Sequence, residues 1–100
     1  MKKIVLLCNM GLSTSALMKK MRAYSESINY EVEVNAYPVN EAKEVGPEAD
    51  CILIGPQISY QLDKVKDTLP DKAIAAIDMQ AYGMMDGERV IEQAKQLMGE

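Results

Sequence analysis

Four short runs of residues with strand-like patterns, separated by stretches with helical spacing, constrain the fold of this chain most. The runs cover residues 4–7, 30–36, 50–55 and 73–77. The second run alternates apolar and polar residues, which is typical of a strand with one face in water. The other three are apolar almost without interruption and predict strands that are covered on both faces. Strands that alternate with helices in this way form a parallel sheet with helices on both faces.

The order of the strands follows from the handedness of their connections. Four strands joined by right-handed crossovers most simply take the order 2-1-3-4, which leaves the half-solvated second strand at the edge. The predicted fold class is therefore α/β, a four-stranded parallel sheet of the flavodoxin-like or low-molecular-weight phosphatase-like type. A chain of 100 residues without a repeat or a linker predicts a single domain over residues 1–100.

Apolar stripes predict where the helices lie and which face each one buries. The first helix covers about residues 13–28, with Lys19 and Lys20 on its solvated face. A short helix over residues 41–45 follows, and Asn40 can cap it. A third helix comes after Gly55 and a fourth closes the chain. The stripes comprise Leu17, Met21, Tyr24 and Ile28 in the first helix, Ile58, Leu62, Val65 and Leu69 in the third, and Val90, Ile91, Ala94 and Leu97 in the last.

Cys8 stands where the first strand ends, and the residues after it combine a glycine with small hydroxyl side chains before the helix begins. The N–H groups of such a loop and of a first helical turn have no helical partners, and the helix dipole favours negative charge there. Ligands of doubly wound sheets bind at the carboxyl ends of strands 1 and 3, where Cys8 and Gly55 meet. The stretch therefore predicts a cysteine that handles phosphate. Cys51, inside the third strand, is predicted to be a core residue.

The candidate site consists of a nucleophile, a phosphate-binding loop and two further polar residues. Cys8 is the candidate nucleophile, and Gln57 either bonds the phosphate or caps the third helix. Asp78 could act as a general acid, but capping of the next segment is the favoured interpretation. Apolar loop residues at such a site are also reasonable contacts for a protein partner. The predicted phosphate-binding residues are Asn9, Met10, Gly11, Leu12, Ser13, Thr14 and Ser15.

Composition excludes several kinds of site. The chain has no histidine, so neither a Cys-His nucleophile–base pair nor a histidine-containing zinc site can form within it. We expect no metal and no cofactor. A net charge of −4 argues against nucleic acid and anionic membrane as partners. Two cysteines far apart favour a reducing cytoplasm, and no stretch approaches the roughly 20 apolar residues of a membrane span.

Three hypotheses of different classes remain open at this point. The first is a phosphatase of the low-molecular-weight type, whose pattern C-x5-R-[ST] would begin at Cys8, but Thr14 occupies the position of the arginine that stabilises the transition state. The second is a phosphoryl carrier, in which a loop without arginine or histidine lets a phosphocysteine persist. The third is a flavodoxin-like binding module for a nucleotide or flavin, although the chain lacks a Gly-rich dinucleotide fingerprint and a P-loop lysine.

The motif C-x2-G-x-S-T-S at residues 8–15, with Gly-Pro-Gln at residues 55–57, resembles the lactose/cellobiose family of IIB subunits from bacterial sugar phosphotransferase systems. The resemblance extends in order through residues 20–22, 82–83 and 86–87. It implies that Cys8 takes a phosphoryl group from a phosphohistidine of a IIA protein. It further implies transfer to a β-linked disaccharide, such as cellobiose, chitobiose or lactose, which the membrane protein IIC carries. Residues 9–15 would hold the phosphate, and the chain would be cytoplasmic, associated with the membrane through IIC.

Overall fold

The computed structural model of the chain describes residues 1–9 and 12–100, except for the side chains of residues 12 and 13. A four-stranded parallel sheet forms its centre, with the strand order β2-β1-β3-β4. This order confirms the predicted topology and puts the half-solvated second strand at the edge. The strands are β1 Lys2–Cys8, β2 Val32–Pro38, β3 Cys51–Ile54 and β4 Ile74–Ala76.

Helices cover both faces of the sheet, as the alternation of strands and helical stripes predicts. Three short 3-10 segments join the α-helices to the strands. Within the described part of the chain, no helix is both long and apolar enough to cross a membrane. The α-helices are α1 Leu12–Ser27, α2 Ala42–Val45, α3 Leu62–Thr68, α4 Met79–Gly83 and α5 Gly87–Leu97, and the 3-10 segments are Val39–Glu41, Gly46–Glu48 and Pro56–Gln61.

Side chains of β1 point alternately into two separate apolar clusters. Ile4 and Leu6 pack with residues of α1, α4 and α5 on one face of the sheet. Val5 and Leu7 pack with residues of α2 and α3 on the other face. All four residues of β1 between positions 4 and 7, and all of β3, are buried. The uninterrupted apolar runs in the sequence therefore reflect strands that are covered on both sides.

The edge strand begins two residues later than the predicted residues 30–36. It pairs with β1 in parallel from Lys2 opposite Val32 to Cys8 opposite Pro38, so that β1 is matched along its whole length. Pro38 can end this strand because an edge strand tolerates a residue that has no N–H to donate. Tyr30 lies outside the strand, and its hydroxyl donates a hydrogen bond to Glu100.

Three helical details differ from the sequence-based expectations. Ile28 is 40% exposed, because α1 ends at Ser27 and leaves it beyond the buried stripe. Asn40 caps nothing, because the chain turns into the 3-10 segment directly after Pro38. The stripe after Gly55 is split between a 3-10 segment and α3, because Ile58 takes non-helical backbone angles of φ −120° and ψ 25°.

The first residue of α5 lies in backbone contact with α1. A Cβ atom built on Gly87 would lie 2.5 Å from the carbonyl carbon of Lys20 and 2.7 Å from the backbone nitrogen of Met21. Backbone atoms cannot rotate out of the way as a side chain can, so only glycine fits without moving a helix. This contact determines how closely α5 packs against the helix that follows Cys8.

We expect Gly87→Ala to lower the free energy of unfolding by about 1–3 kcal/mol, the usual cost of overpacking. Gly83→Ala is the matched control, because a Cβ on Gly83, at the end of α4, would have no heavy atom within 4 Å. The control should leave stability unchanged or raise it by up to about 1 kcal/mol, as alanine favours helix. Denaturant unfolding of both variants measures the difference, and equal effects would contradict a contact specific to Gly87.

Candidate functional site

Cys8 is the last residue of an internal strand and lies where the carboxyl ends of neighbouring strands meet. On one side it is paired with Pro38 of β2. On the other side the N–H of Gly55, directly after β3, donates a hydrogen bond to the carbonyl of Leu7 over 2.9 Å. The chain leaves β1 and β3 toward opposite faces of the sheet, and such a switch point is where doubly wound sheets bind their ligands.

The two cysteines occupy very different environments. Cys8 is half-buried, and its Sγ lies 3.8 Å from the carbonyl oxygen of Tyr37, to which the thiol donates a weak hydrogen bond. Cys51 is completely buried in β3, and burial raises the pKa of its thiol to about 12. The prediction that Cys51 is a core residue is confirmed. Only Cys8 offers solvent or a partner a route to its sulfur.

The helix after Cys8 begins at Leu12 and runs for 16 residues. Its first N–H groups have no intrahelical acceptors, and its dipole favours an anion at this end. Thr14, in the first turn, is 2% exposed, and its hydroxyl lies 3.0 Å from the Tyr82 hydroxyl in a buried hydrogen bond. The Thr14 side chain is therefore directed into the core. Of the polar groups of this residue, only the backbone N–H can donate to an anion at the helix end.

The remaining residues of the predicted phosphate loop are described only in part. Asn9 and Ser15 are exposed. Met10 and Gly11 lie outside the described residues, as do the side chains of Leu12 and Ser13. Phosphate binding by residues 9–15 stays a prediction.

Gln57 is exposed at the start of the 3-10 segment that follows β3, at the same end of the sheet as Cys8. A Cβ atom on Gly55 would lie 3.2 Å from the Oε1 of Gln57, which shows that this side chain bends back over the end of β3. Neither the 3-10 segment nor α3 has a side-chain cap. The capping alternative for Gln57 is therefore wrong, and a contact with phosphate stays a prediction.

Asp78 follows β4 and caps α4, which confirms the favoured interpretation. Its Oδ2 accepts a hydrogen bond from the backbone N–H of Ala81 over 2.9 Å and lies 3.2 Å from a guanidinium nitrogen of Arg89. The side-chain amide of Gln93, in α5, binds the backbone of the same turn. It donates to the carbonyl of Ala76 and accepts from the N–H of Asp78. The carboxylate is thus engaged in fixing the end of β4.

Sequence reasoning missed the structural role of Tyr82, because residues 82–83 entered it only through the family resemblance. The Asp78 cap makes these residues the end of α4, and Ala81 and Tyr82 pack under α1. The cap signal could have revealed the helix, because Asp is a preferred N-cap residue. Nothing in the sequence pairs Tyr82 with Thr14, because the two residues meet only through the tertiary fold.

We expect Tyr82→Phe to lower the free energy of unfolding by about 1–3 kcal/mol, because it leaves the buried Thr14 hydroxyl without its partner. Thr14→Val should have a similar effect. The double variant should cost clearly less than the sum of the two, since it leaves neither hydroxyl behind. Denaturant unfolding of the four proteins measures the coupling, and strictly additive costs would contradict a direct bond.

Comparisons with known proteins agree with this fold. Residues 3–93 match the family model described as "PTS system, Lactose/Cellobiose specific IIB subunit". The chain is 46% identical over 101 residues to the oligo-beta-mannoside-specific EIIB component of Bacillus subtilis (strain 168), covering 98% of this chain and 97% of the relative. It is 32% identical over 104 residues to the cellobiose-specific EIIB component of Lactococcus lactis subsp. lactis (strain IL1403), covering 97% and 96%.

Solved structures agree as well. The cellobiose-specific phosphotransferase IIB component from Borrelia burgdorferi superposes with a TM-score of 0.82 at 29% identity, covering 98% of this chain and 92% of that one. The lactose-specific IIB component domain from Streptococcus pneumoniae has a TM-score of 0.76 at 14% identity, covering 98% and 91%, and shows the fold alone. The family match over most of the chain, together with the close relatives, means that this protein belongs to the lactose/cellobiose-specific IIB subunit family of the phosphotransferase system (PTS), whose members are phosphotransferases.

Proposed function

We propose that this chain, acting over residues 1–100 as one domain in the cytoplasm, carries a phosphoryl group on Cys8. It accepts the group from a phosphohistidine of a IIA protein and passes it to a sugar bound by the membrane protein IIC. One observation carries the proposal. Cys8 is a half-buried thiol at the carboxyl end of an internal parallel strand, directly ahead of the amino end of a long helix.

In the first step the Cys8 thiolate attacks the phosphorus in line with the phosphorus–nitrogen bond of the donor histidine. A P–S bond forms as the P–N bond breaks, and the bonding electron pair returns to the imidazole nitrogen. The thiol proton, which points to the Tyr37 carbonyl in the resting state, passes to water before the attack, and the leaving imidazole takes up one proton from water, so that the step balances. Backbone N–H groups of residues 9–15 stabilise charge on the equatorial oxygens, as oriented donors do in phosphoryl transfer.

In the second step a sugar hydroxyl oxygen attacks the phosphorus, the P–S bond breaks, and the Cys8 thiolate leaves. The hydroxyl proton passes to a base of IIC, which holds the sugar, and this chain has no histidine to compete for it. Gln57 contacts the phosphate from the β3 side, and Asp78 supports the site by fixing the end of β4. No cofactor or metal takes part in either step.

The residues around Cys8 favour a carrier over a phosphatase. A phosphatase of this architecture would use an arginine at position 14 to stabilise the transition state of hydrolysis. Thr14 stands there, and its side chain is buried against Tyr82. Residues 9–15 also include no lysine or arginine. A phosphocysteine held only by neutral donors therefore persists until an acceptor reaches it.

The sugar is a β-linked disaccharide such as cellobiose, chitobiose or lactose. Two relatives support a β-linked substrate through their names, one specific for oligo-beta-mannosides and one for cellobiose. The sugar-binding pocket belongs to IIC, and the chain joins the membrane peripherally through that protein.

Cys8→Ser is expected to reduce phosphoryl uptake from phosphorylated IIA to below detection, because serine is a far weaker nucleophile near neutral pH. Mass spectrometry after incubation with phosphoenolpyruvate, the general phosphotransfer proteins and IIA should find one added phosphoryl group on Cys8 of the natural protein. Cys51→Ala is the matched control and should still gain one phosphoryl group, since Cys51 is completely buried in the core. Phosphate retained on the Cys8→Ser protein would overturn the proposal.

The same protein should show negligible steady-state hydrolysis of aryl phosphates. Without a cation at position 14, the transition state of hydrolysis lacks stabilisation worth several kcal/mol. Release of p-nitrophenol from p-nitrophenyl phosphate measures this directly, and a tyrosine phosphatase of low molecular weight serves as the positive control. Sustained turnover by this chain that depends on Cys8 would favour the phosphatase hypothesis instead.

A further inference from the structure

β2 is the outermost strand of the sheet, so one row of its backbone groups faces away from the other strands. The bonds of β1 show which groups these are. The carbonyl of Lys3 accepts a hydrogen bond from the N–H of Asp50, directly before β3. That of Leu7 accepts from the N–H of Gly55, directly after β3. Backbone groups of successive strand residues point to opposite sides, so Ile4 faces β2 instead.

The pairing register then identifies the outward row on β2. Ile4 lies opposite Val34. In a parallel pair such a residue bonds the two neighbours of its partner, here Glu33 and Asn35. The N–H and C=O groups of Val34, and of the residues two positions before and after it, therefore point away from β1. We call this row, the backbone groups of residues 32, 34 and 36, the open edge.

An edge of this kind can pair with a strand of another chain, because extended N–H and C=O groups are a template for one. Residues 32–37 contain neither glycine nor proline, and Val32, Val34 and Tyr37 favour strands. A second copy of this chain presents the same row. Two copies related by a two-fold axis would bring the two Val34 residues opposite each other and join the sheets into one.

The side chain of Arg22, in α1, occupies the centre of the open edge. Its Nε and Nη2 donate to the carbonyl oxygen of Val34 over 3.0 and 2.6 Å. A carbonyl oxygen has two acceptor positions, so this contact leaves neither for the N–H of an incoming strand. The Nη2 also donates to the Oδ1 of Asn35 over 3.1 Å, which fixes the guanidinium at a second point.

This contact reaches from one face of the sheet to the other. Val34 points to the face on which α1 packs. The side chain of Asn35, the next residue of the strand, points to the opposite face. The guanidinium that binds both residues therefore lies across the position that a further strand would take. Asn35 in turn donates to the Oε2 of Glu33 over 3.2 Å, so that a second charged side chain is held along the edge.

We propose that Arg22 keeps this chain monomeric by occupying the open edge, and that a second copy of the chain pairs with β2 when the guanidinium is removed. The carbonyl of Val34 needs a donor in either case, because an unpaired backbone group in a buried residue is costly. Arg22 supplies that donor from within the chain. The inference concerns assembly and holds whether or not Cys8 carries a phosphoryl group.

Sedimentation velocity of Arg22→Met, from about 10 µM to about 500 µM, tests the proposal. Methionine keeps a long stem but donates no hydrogen bond, so the carbonyl of Val34 becomes available to a second copy. The weight-average mass of this variant should rise with concentration to at least about 1.5 times that of one chain. The natural protein should keep the mass of one chain throughout.

Lys20→Met is the matched control, because it removes the same charge from the same helix. Two residues turn a helix by about 200°, so Lys20 lies on nearly the opposite side of α1 from Arg22. Its backbone accordingly lies against Gly87 of α5, away from β2. This variant should remain monomeric over the same range of concentration.

A proline at position 32 distinguishes strand pairing from non-specific association. The N–H of Val32 belongs to the open edge, so Val32→Pro removes a donor that an incoming strand needs and none that β1 needs. Arg22→Met combined with Val32→Pro should be monomeric again. Amide hydrogen exchange gives a second measurement, in which the Val34 N–H of Arg22→Met should be better protected at high concentration than at low.

A monomeric Arg22→Met protein, or a Lys20→Met protein that associates equally, would overturn the proposal. So would a natural protein that is itself a dimer, or association of Arg22→Met that persists with Val32→Pro. Cooperative thermal unfolding should show that the variants are folded. If Arg22→Met does not fold, Arg22→Lys replaces it, since a single ammonium nitrogen cannot fill both acceptor positions of the carbonyl. A mass equal to that of the natural protein would then contradict the inference.

Discussion

The structure depends on the burial of β1 between two parallel neighbours and two helical layers. Hydrogen bonds to β2 and β3 fix its backbone, and its alternating side chains fill one apolar cluster on each face. A strand held in this way cannot shift register, because a slip by one residue would exchange the two faces and disturb both clusters. Cys8 ends this strand, so a strand that is paired on both sides and packed on both faces sets the position of its sulfur.

The helix that follows Cys8 is held to the fold by two contacts far apart in sequence. The Thr14 hydroxyl meets that of Tyr82 in the core, and Gly87 brings α5 into backbone contact with α1. Asp78, Arg89 and Gln93 in turn hold the beginning of α4 against α5. The amino end of α1 is thereby fixed relative to the end of β1 by parts of the chain that bear no reactive group. Preorganisation of this kind lets backbone donors act on a phosphoryl group without a reorganisation cost.

The chemistry proposed for the site follows from what surrounds the sulfur. Arginine at position 14 would favour hydrolysis, whereas the sequence has no lysine or arginine in residues 9–15 and the Thr14 side chain is buried against Tyr82. In the proposed carrier, the lack of a cation in residues 9–15 lets the phosphocysteine persist until an acceptor reaches it.

Much of the fold could be predicted from the sequence because its signals are local. Uninterrupted apolar runs indicate buried parallel strands, the alternating run marks the edge strand, and the handedness of crossovers then determines the order 2-1-3-4. Details that depend on neighbouring elements were harder to predict from the sequence. The register of β2 follows from its pairing with β1, Ile58 departs from helical angles within its segment, and Ile28 is exposed because α1 ends before it.

For the site, the sequence by itself determined the family resemblance and the core position of Cys51 and predicted Cys8 as the nucleophile, because a strand end and an apolar run are readable in a few consecutive residues. Only the tertiary structure decided that the Thr14 side chain points to Tyr82 and that Asp78 pairs with Arg89. Each of these depends on contacts between residues distant in the chain, which no local pattern encodes.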